Sequence, residues 1–388
     1  MRKMNSIKSR DVFYVAGYDP RGYRYYYSLF KKNSLLQNKI NNLNLKVSKI
    51  DSNEKKFPFF NIDSNKSITT KYTFLNWNDI VKDNWPENIF YILSDFFYFL
   101  KIYIFSGLCI KFAKESSTQL IAGLYPLFYM IISYLLTFYI IYEAYNFTKN
   151  FSNIVLAILI SFLLLFLATK FIKFIGKKLG VFWLSRIYAF CARWSNDEIK
   201  DIENRIDEFS EIIVKTLKEN HKKEDYELIL SSHSVGTILA VSVAARVIKK
   251  CEEENIDSSC FKLLTLGQCI PLVSFQKNSN KFKKDLGILS NKKDLIWFDF
   301  TSKIDGACFP MVDYLKTCGI NSPKNQGPKF LSTRFFKLYE KEEYKKIRKD
   351  WYKAHFLYLM ATQIKGQYDY FNFVAGADKL ENKIKQEK

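Results

Sequence analysis

Apolar residues run in three patterns along the chain, each predicting a different element. Residues 120–142, "LIAGLYPLFYMIISYLLTFYIIY", contain no charged side chain and are long enough to cross a hydrocarbon core of about 30 Å. A second run, "IVLAILISFLLLFLAT" at 154–169, is shorter but continues through "KFIKFIG", where Lys170 and Lys173 can reach the headgroups. The two runs predict a transmembrane helical hairpin over 116–178, with spans at about 120–142 and 154–174. A pair of buried core helices is the weaker reading, because uninterrupted apolar runs of this length seldom occur in soluble cores. Upstream, the aromatic stretch "NIFYILSDFFYFLKIYIFSGLCIKFAK" is broken by Asp95 and Lys101. It predicts an interfacial helix over 89–115 in preference to a third span.

The other two patterns lie on either side of the hairpin. In "DVFYVAGYDPRGYRYYYSLF" a short apolar run at 12–16 predicts a buried strand, then a turn, then a helix carrying Tyr26, Leu29 and Phe30. "LNLKVSKI" and "SITTKYTFLNW" read as further strands. After the hairpin, Ile199, Ile202, Ile206, Phe209, Ile213 and Leu217 recur at helical spacing. A strand at 226–231, a helix at 236–250 and strands at "FKLLTLG" and "DLIWFDF" follow. Such alternation implies an α/β fold with a mainly parallel sheet and helices on both faces. The simplest organisation is one α/β domain in two parts, 1–88 and 179–388, with the helix at 89–115 and the hairpin at 116–178 inserted between them.

Charge changes the picture by calling for a partner. Lys and Arg total 59 against 39 Asp and Glu, a net charge of +20, which suits nucleic acid or an anionic membrane. The abundance of Lys, Asn and Ile also fits compositional drift of a genome. The cations are spread through the chain without a helix-turn-helix, RNP or zinc-finger pattern, so no nucleic acid is expected and the bilayer, with its anionic headgroups, is the expected partner. Lys111 and Lys114 precede the hairpin and Lys170, Lys173, Lys177, Lys178 and Arg186 follow it, whereas its loop is only "EAYNFTKNFSN". The positive-inside rule then predicts an integral protein of the cytoplasmic membrane with both large soluble segments in the cytoplasm. The 7 cysteines are scattered, with no C-x-x-C pair. They predict reduced, packed thiols and no metal or other cofactor. The basic start "MRKMNSIKSR" leads into a strand and predicts no cleavable signal peptide.

Candidate chemistry centres on "ELILSSHSVGTILAVSVAARVI", residues 227–248. A strand that turns sharply into a helix is the setting of a nucleophile elbow, in which small residues two positions either side let the serine stand clear of the sheet. Around Ser234 those neighbours are Ser232 and Gly236, so Ser232 departs from the usual glycine. Here the chain resembles the α/β-hydrolase superfamily, in its lipase and esterase style, over the soluble parts and not the hairpin. The opening "VFYVAGYDPRG" looks like that of little-characterised bacterial membrane-anchored members.

The resemblance implies the order nucleophile, acid, histidine. Of His221, His233 and His355, only His355 follows an acid that follows the elbow. The acid lies just beyond a late strand in the family, which points to Asp305 in "IWFDFTSKIDGACF"; Asp299 within the strand and Asp313 beyond are weaker candidates. In this scheme His355 takes the Ser234 proton while Asp305 holds its tautomer and stabilises the imidazolium. The family's oxyanion hole implies the N–H groups of Val235 and, from the loop "AGYDPRG", of Tyr18, with Gly17 and Gly236 in support. His233 reads as a packing residue of the elbow. Arg21 reads either as an anion-binding group or as part of a turn.

The function expected is a membrane-anchored serine hydrolase acting on an ester or thioester bond in a lipid. An acyltransferase with the same acyl-enzyme is the close alternative. A catalytically silent scaffold or binding protein of the same fold is the alternative of another class. Substrate identity and oligomeric state are not expressed in these patterns.

Overall fold

The computed structural model describes residues 7–64, 68–85 and 89–384. It divides into two compact units, one formed by Met1–Pro86 with Arg193–Lys388 and the other by Glu87–Ala192.

The first unit is built on an eight-stranded sheet in the order β2-β3-β4-β1-β5-β6-β7-β8. The strands are β1 (Ser9–Val15), β2 (Lys46–Val47), β3 (Phe59–Ser64), β4 (Ile68–Phe74), β5 (Tyr226–His233), β6 (Phe261–Leu266), β7 (Ile296–Thr301) and β8 (Pro328–Ser332). Pairing is parallel from β4 through β1 to β8, while β3 runs antiparallel to both β4 and β2. The expected α/β architecture with a mainly parallel sheet is therefore present. β1 and β5 to β7 are buried almost throughout, as strands covered on both faces must be.

Alternation along β1 sends Val12 and Tyr14 to one face, where they join Tyr26 and Phe30 of the helix Tyr23–Asn41, Ile229 of β5, and residues 354–375 of the C-terminal region. The helices Ile202–Asn220, Gly236–Glu253 and Asn280–Asn291 pack on one another over the opposite face. At the end where β1 and β5 begin, the fully buried Arg10 donates to Glu227 at 2.8 Å and to the carbonyls of Gly376 and Asp378, both at 2.8 Å. Glu227 also accepts the Leu380 N–H at 2.7 Å. The two buried charges thus match each other, and each makes further hydrogen bonds to the backbone.

Two elements escape the sequence expectation and one shrinks. β3 and β8 lie toward the sheet edges, and the stretch "LNLKVSKI" forms only the two-residue β2.

In the second unit the helices Ser117–Phe151 and Ile154–Lys178 are long and apolar enough to cross a membrane. They pack on each other, with the Tyr129 hydroxyl donating to the Ile172 carbonyl at 2.7 Å, and their outer residues such as Leu135, Phe138, Leu163 and Phe166 are exposed. The stretch at 89–115 forms the helix Ile89–Phe99, the π-helical Leu100–Phe105 and the helix Leu108–Glu115. A 71° bend separates Phe90–Phe105 from Leu108–Glu115, and counted as one broken span the pair would be a third crossing. The unit reaches to Ala192 because the helix Val181–Ser195 is tied into it: the Tyr188 hydroxyl donates to Gln119 Oε1 at 2.7 Å and its carbonyl accepts from Tyr103 at 3.1 Å.

Candidate active site

β5 ends at His233, and Ser234 turns the chain with φ of +58° before the helix Gly236–Glu253 begins. For a residue with a β-carbon this left-handed conformation costs roughly 1–2 kcal/mol. The turn is held by the Ser234 N–H donating to the Leu266 carbonyl at 3.0 Å and by its carbonyl accepting from Thr237 N at 3.0 Å and Thr237 Oγ1 at 2.6 Å.

The loop after β1 presses onto this turn. A β-carbon on Gly236 would lie 2.7 Å from the Val15 carbonyl oxygen and closer still to that of Ala16, and one on Gly17 would lie 3.0 Å from Ser234 Cβ and 3.4 Å from Ser234 Oγ. The contact at Gly236, against backbone atoms, requires glycine, while the one at Gly17 is tight. β1 and β5 are neighbours whose chains leave in opposite directions along the sheet, so Ser234 lies at a switch point of the kind beyond whose carboxyl ends parallel α/β sheets bind ligands.

Val235 heads the elbow helix, and no backbone carbonyl among the described residues accepts its N–H. Tyr18 is buried, its ring 5.2 Å from that of Trp85 and its hydroxyl donating to the Asn84 carbonyl. Any role at Ser234 would therefore fall to the Tyr18 backbone and not to its phenol.

Asp305 lies in the loop after β7, its N–H bonded to the Ser302 carbonyl at 3.1 Å. His355 lies in the short helix Trp351–Phe356. Their side chains meet, with His355 Nδ1 at 2.9 Å and 3.0 Å from the two carboxylate oxygens, and both are buried. Burial works against the charge on Asp305, yet the adjoining imidazole and the Ala307 N–H at 3.0 Å hold its pKa below the ordinary value. A carboxylate can only accept, so His355 carries its proton on Nδ1 and its Nε2 is the acceptor nitrogen. Gly267, with φ of +53°, lets this pair close: a β-carbon there would stand 3.1 Å from Asp305 Oδ2 and 2.6 Å from the Tyr358 ring.

Two neighbours were not foreseen in these roles. His233 is not merely a packing residue: its Nε2 lies 2.8 Å from the His355 carbonyl, and the two rings are 4.7 Å apart. Burial and the neighbouring His355 push its pKa down to about 3, so it stays neutral with its proton on Nε2. This bond joins the residue before Ser234 to the backbone of His355. Cys269 is the second, its Sγ 3.9 Å from Ser234 Oγ and its thiol pKa raised by burial.

The other candidates lie elsewhere. Asp299 is enclosed within β7 and accepts from the Tyr314 hydroxyl at 3.0 Å. Asp313 is exposed and caps the short helix Tyr314–Thr317. His221 ends the helix Ile202–Asn220, with Nδ1 2.9 Å from the Leu217 carbonyl. Ser232 is a buried strand residue paired with Val15. Arg21 is matched by Asp19, with Nε 2.8 Å and 2.9 Å from the carboxylate oxygens, and its guanidinium stacks 3.6 Å from the Tyr25 ring centroid. It serves the turn, since its charge is already answered. Among the described residues no group of three or more His, Cys, Asp or Glu side chains could hold a metal ion.

No known protein family, curated protein or solved structure matches this chain.

Proposed function

We propose that the protein is a membrane-anchored serine hydrolase of the α/β-hydrolase type that cleaves an ester or thioester bond in a lipid. The observation that carries the reading is the buried Asp305–His355 bond at the same end of the sheet as the strained serine elbow.

In this reading His355 Nε2 removes the Ser234 proton as Oγ attacks the substrate carbonyl carbon. The oxyanion formed accepts from the Val235 N–H and from a backbone N–H of the loop at 17–18. When the tetrahedral intermediate collapses, the imidazolium returns its proton to the departing alcohol or thiol and the acyl group stays on Oγ. Water, activated by the same imidazole, then releases the acid and regenerates Ser234. Asp305 stays ionised throughout, stabilising the imidazolium and fixing its orientation.

The two apolar helices support an integral membrane protein. The basic residues flanking them support a cytoplasmic active unit. A fluorophosphonate probe tests the chemistry: detergent-purified wild type should label covalently and Ser234→Ala should not. Equal labelling of the two would refute the reading. For topology, a reporter inserted near Asn146 should be accessible only from outside the cytoplasm, with both termini inside.

A further inference from the structure

We propose that the segment at 334–352 of the sheet unit docks onto the surface of an anionic lipid bilayer. The inference deepens the membrane part of the reading above and does not depend on its chemistry.

The large aromatic side chains that stand exposed among the described residues of this unit are Phe336, Trp351 and Tyr352, at 57%, 58% and 47%. All three fall in one stretch, whereas scattered single apolar residues are what an ordinary surface shows. The same stretch, extended to Lys353, carries eight Lys and Arg against four Asp and Glu. Lys337, Lys345, Lys346, Arg348 and Lys349 are exposed. Trp and Tyr favour the headgroup level of a bilayer, and Lys and Arg favour its anionic lipids. The combination matches a lipid surface better than a protein groove, and the apolar helices of the same chain keep a bilayer at high effective concentration.

The segment also reaches the candidate site. Tyr352 packs against Phe356 with ring centroids 4.9 Å apart and the planes tilted by 38°, and Phe356 follows His355 directly. The Arg21 guanidinium lies 5.3 Å from the Tyr352 ring and 5.0 Å from that of Phe356, linking this helix to the loop beside Ser234. Docking here would bring lipid headgroups beside the loop that carries Arg21 and the helix that carries His355.

The test is hydrogen exchange on the full chain in nanodiscs of neutral phosphatidylcholine and in nanodiscs enriched in phosphatidylglycerol. Backbone amides at 334–356 should exchange more slowly in the anionic discs. Each basic residue near such a surface contributes about fivefold to binding, so Arg348→Glu with Lys349→Glu should abolish the difference. Exchange in β5 reports whether that variant is folded, and its fluorophosphonate labelling in detergent should equal wild type. Equal exchange in the two discs, or protection that survives the double reversal, overturns the proposal. Ser234→Ala should keep the protection, so failure of the catalytic reading would leave this one standing.

Discussion

Two glycine-to-alanine substitutions, Gly236→Ala and Gly287→Ala, test whether close approach of the loop after β1 shapes the elbow. Both glycines are helical, so each alanine gains helix propensity, about 0.8–1 kcal/mol in a helix interior and less at the first turn. At Gly287 a β-carbon meets nothing within 4 Å, and the gain should appear as added stability. At Gly236 the β-carbon would sit 2.7 Å from the Val15 carbonyl oxygen and nearer that of Ala16. These are backbone atoms at the end of a central strand and cannot rotate away as a side chain could. Overpacking of this kind costs typically 1–3 kcal/mol, so the two variants should differ by roughly 3 kcal/mol in opposite directions. With about 2–4 °C per kcal/mol for domains of 150–250 residues, thermal unfolding in detergent should separate them by roughly 4 °C or more. The loop must also retreat from Ser234, and losing one oxyanion donor lowers rates by about 10²- to 10³-fold. Fluorophosphonate labelling of Gly236→Ala should slow toward that range while Gly287→Ala labels like wild type. Wild-type stability and labelling in Gly236→Ala would refute the claim that this contact holds the loop on the elbow.

Three further outcomes are expected. Asp305→Asn keeps the shape of its side chain but presents the wrong partner to His355 Nδ1, and under the proposed mechanism its labelling rate should fall by about 10⁴-fold; a fall below tenfold would remove Asp305 from the proposed triad. Asp299, whose pKa burial raises to about 7, is neutral in the fold at low pH. Since its unfolded value is about 3.9, its contribution is fully present below that pH and is lost as pH rises through about 7. Wild type should therefore melt lower at pH 8.5 than at pH 6, and Asp299→Asn should flatten that difference. Arg10→Ala strands the buried Glu227 and should destabilise by about 3–5 kcal/mol, read as a loss of melting temperature with no change in the labelling pH profile.

What could be read ahead of the structure follows from the range of the interactions involved. The apolar helices are visible in composition alone, and the β5 elbow is visible because strand, serine and small-residue helix are neighbours in sequence. β3 carries a period-two signal only two apolar positions long, Phe60 and Ile62 alternating with Asn61 and Asp63, too short to stand out. β8 opens with Pro328 and is half exposed at the sheet edge, so packing demands little of its residues. The bond from His233 to the His355 carbonyl joins residues 122 apart, and nothing near either one announces the other. Yet the convergence at the site has a cause that the alternation of strands and helices already contained. β1, β5, β6 and β7 run parallel, so their carboxyl ends share one edge of the sheet, and Gly17, Ser234, Gly267 and Asp305 all lie just beyond those ends. The resemblance could nominate Asp305 and His355, but only the docking of the helix Trp351–Phe356 over that edge brings the imidazole within hydrogen-bonding distance of the carboxylate.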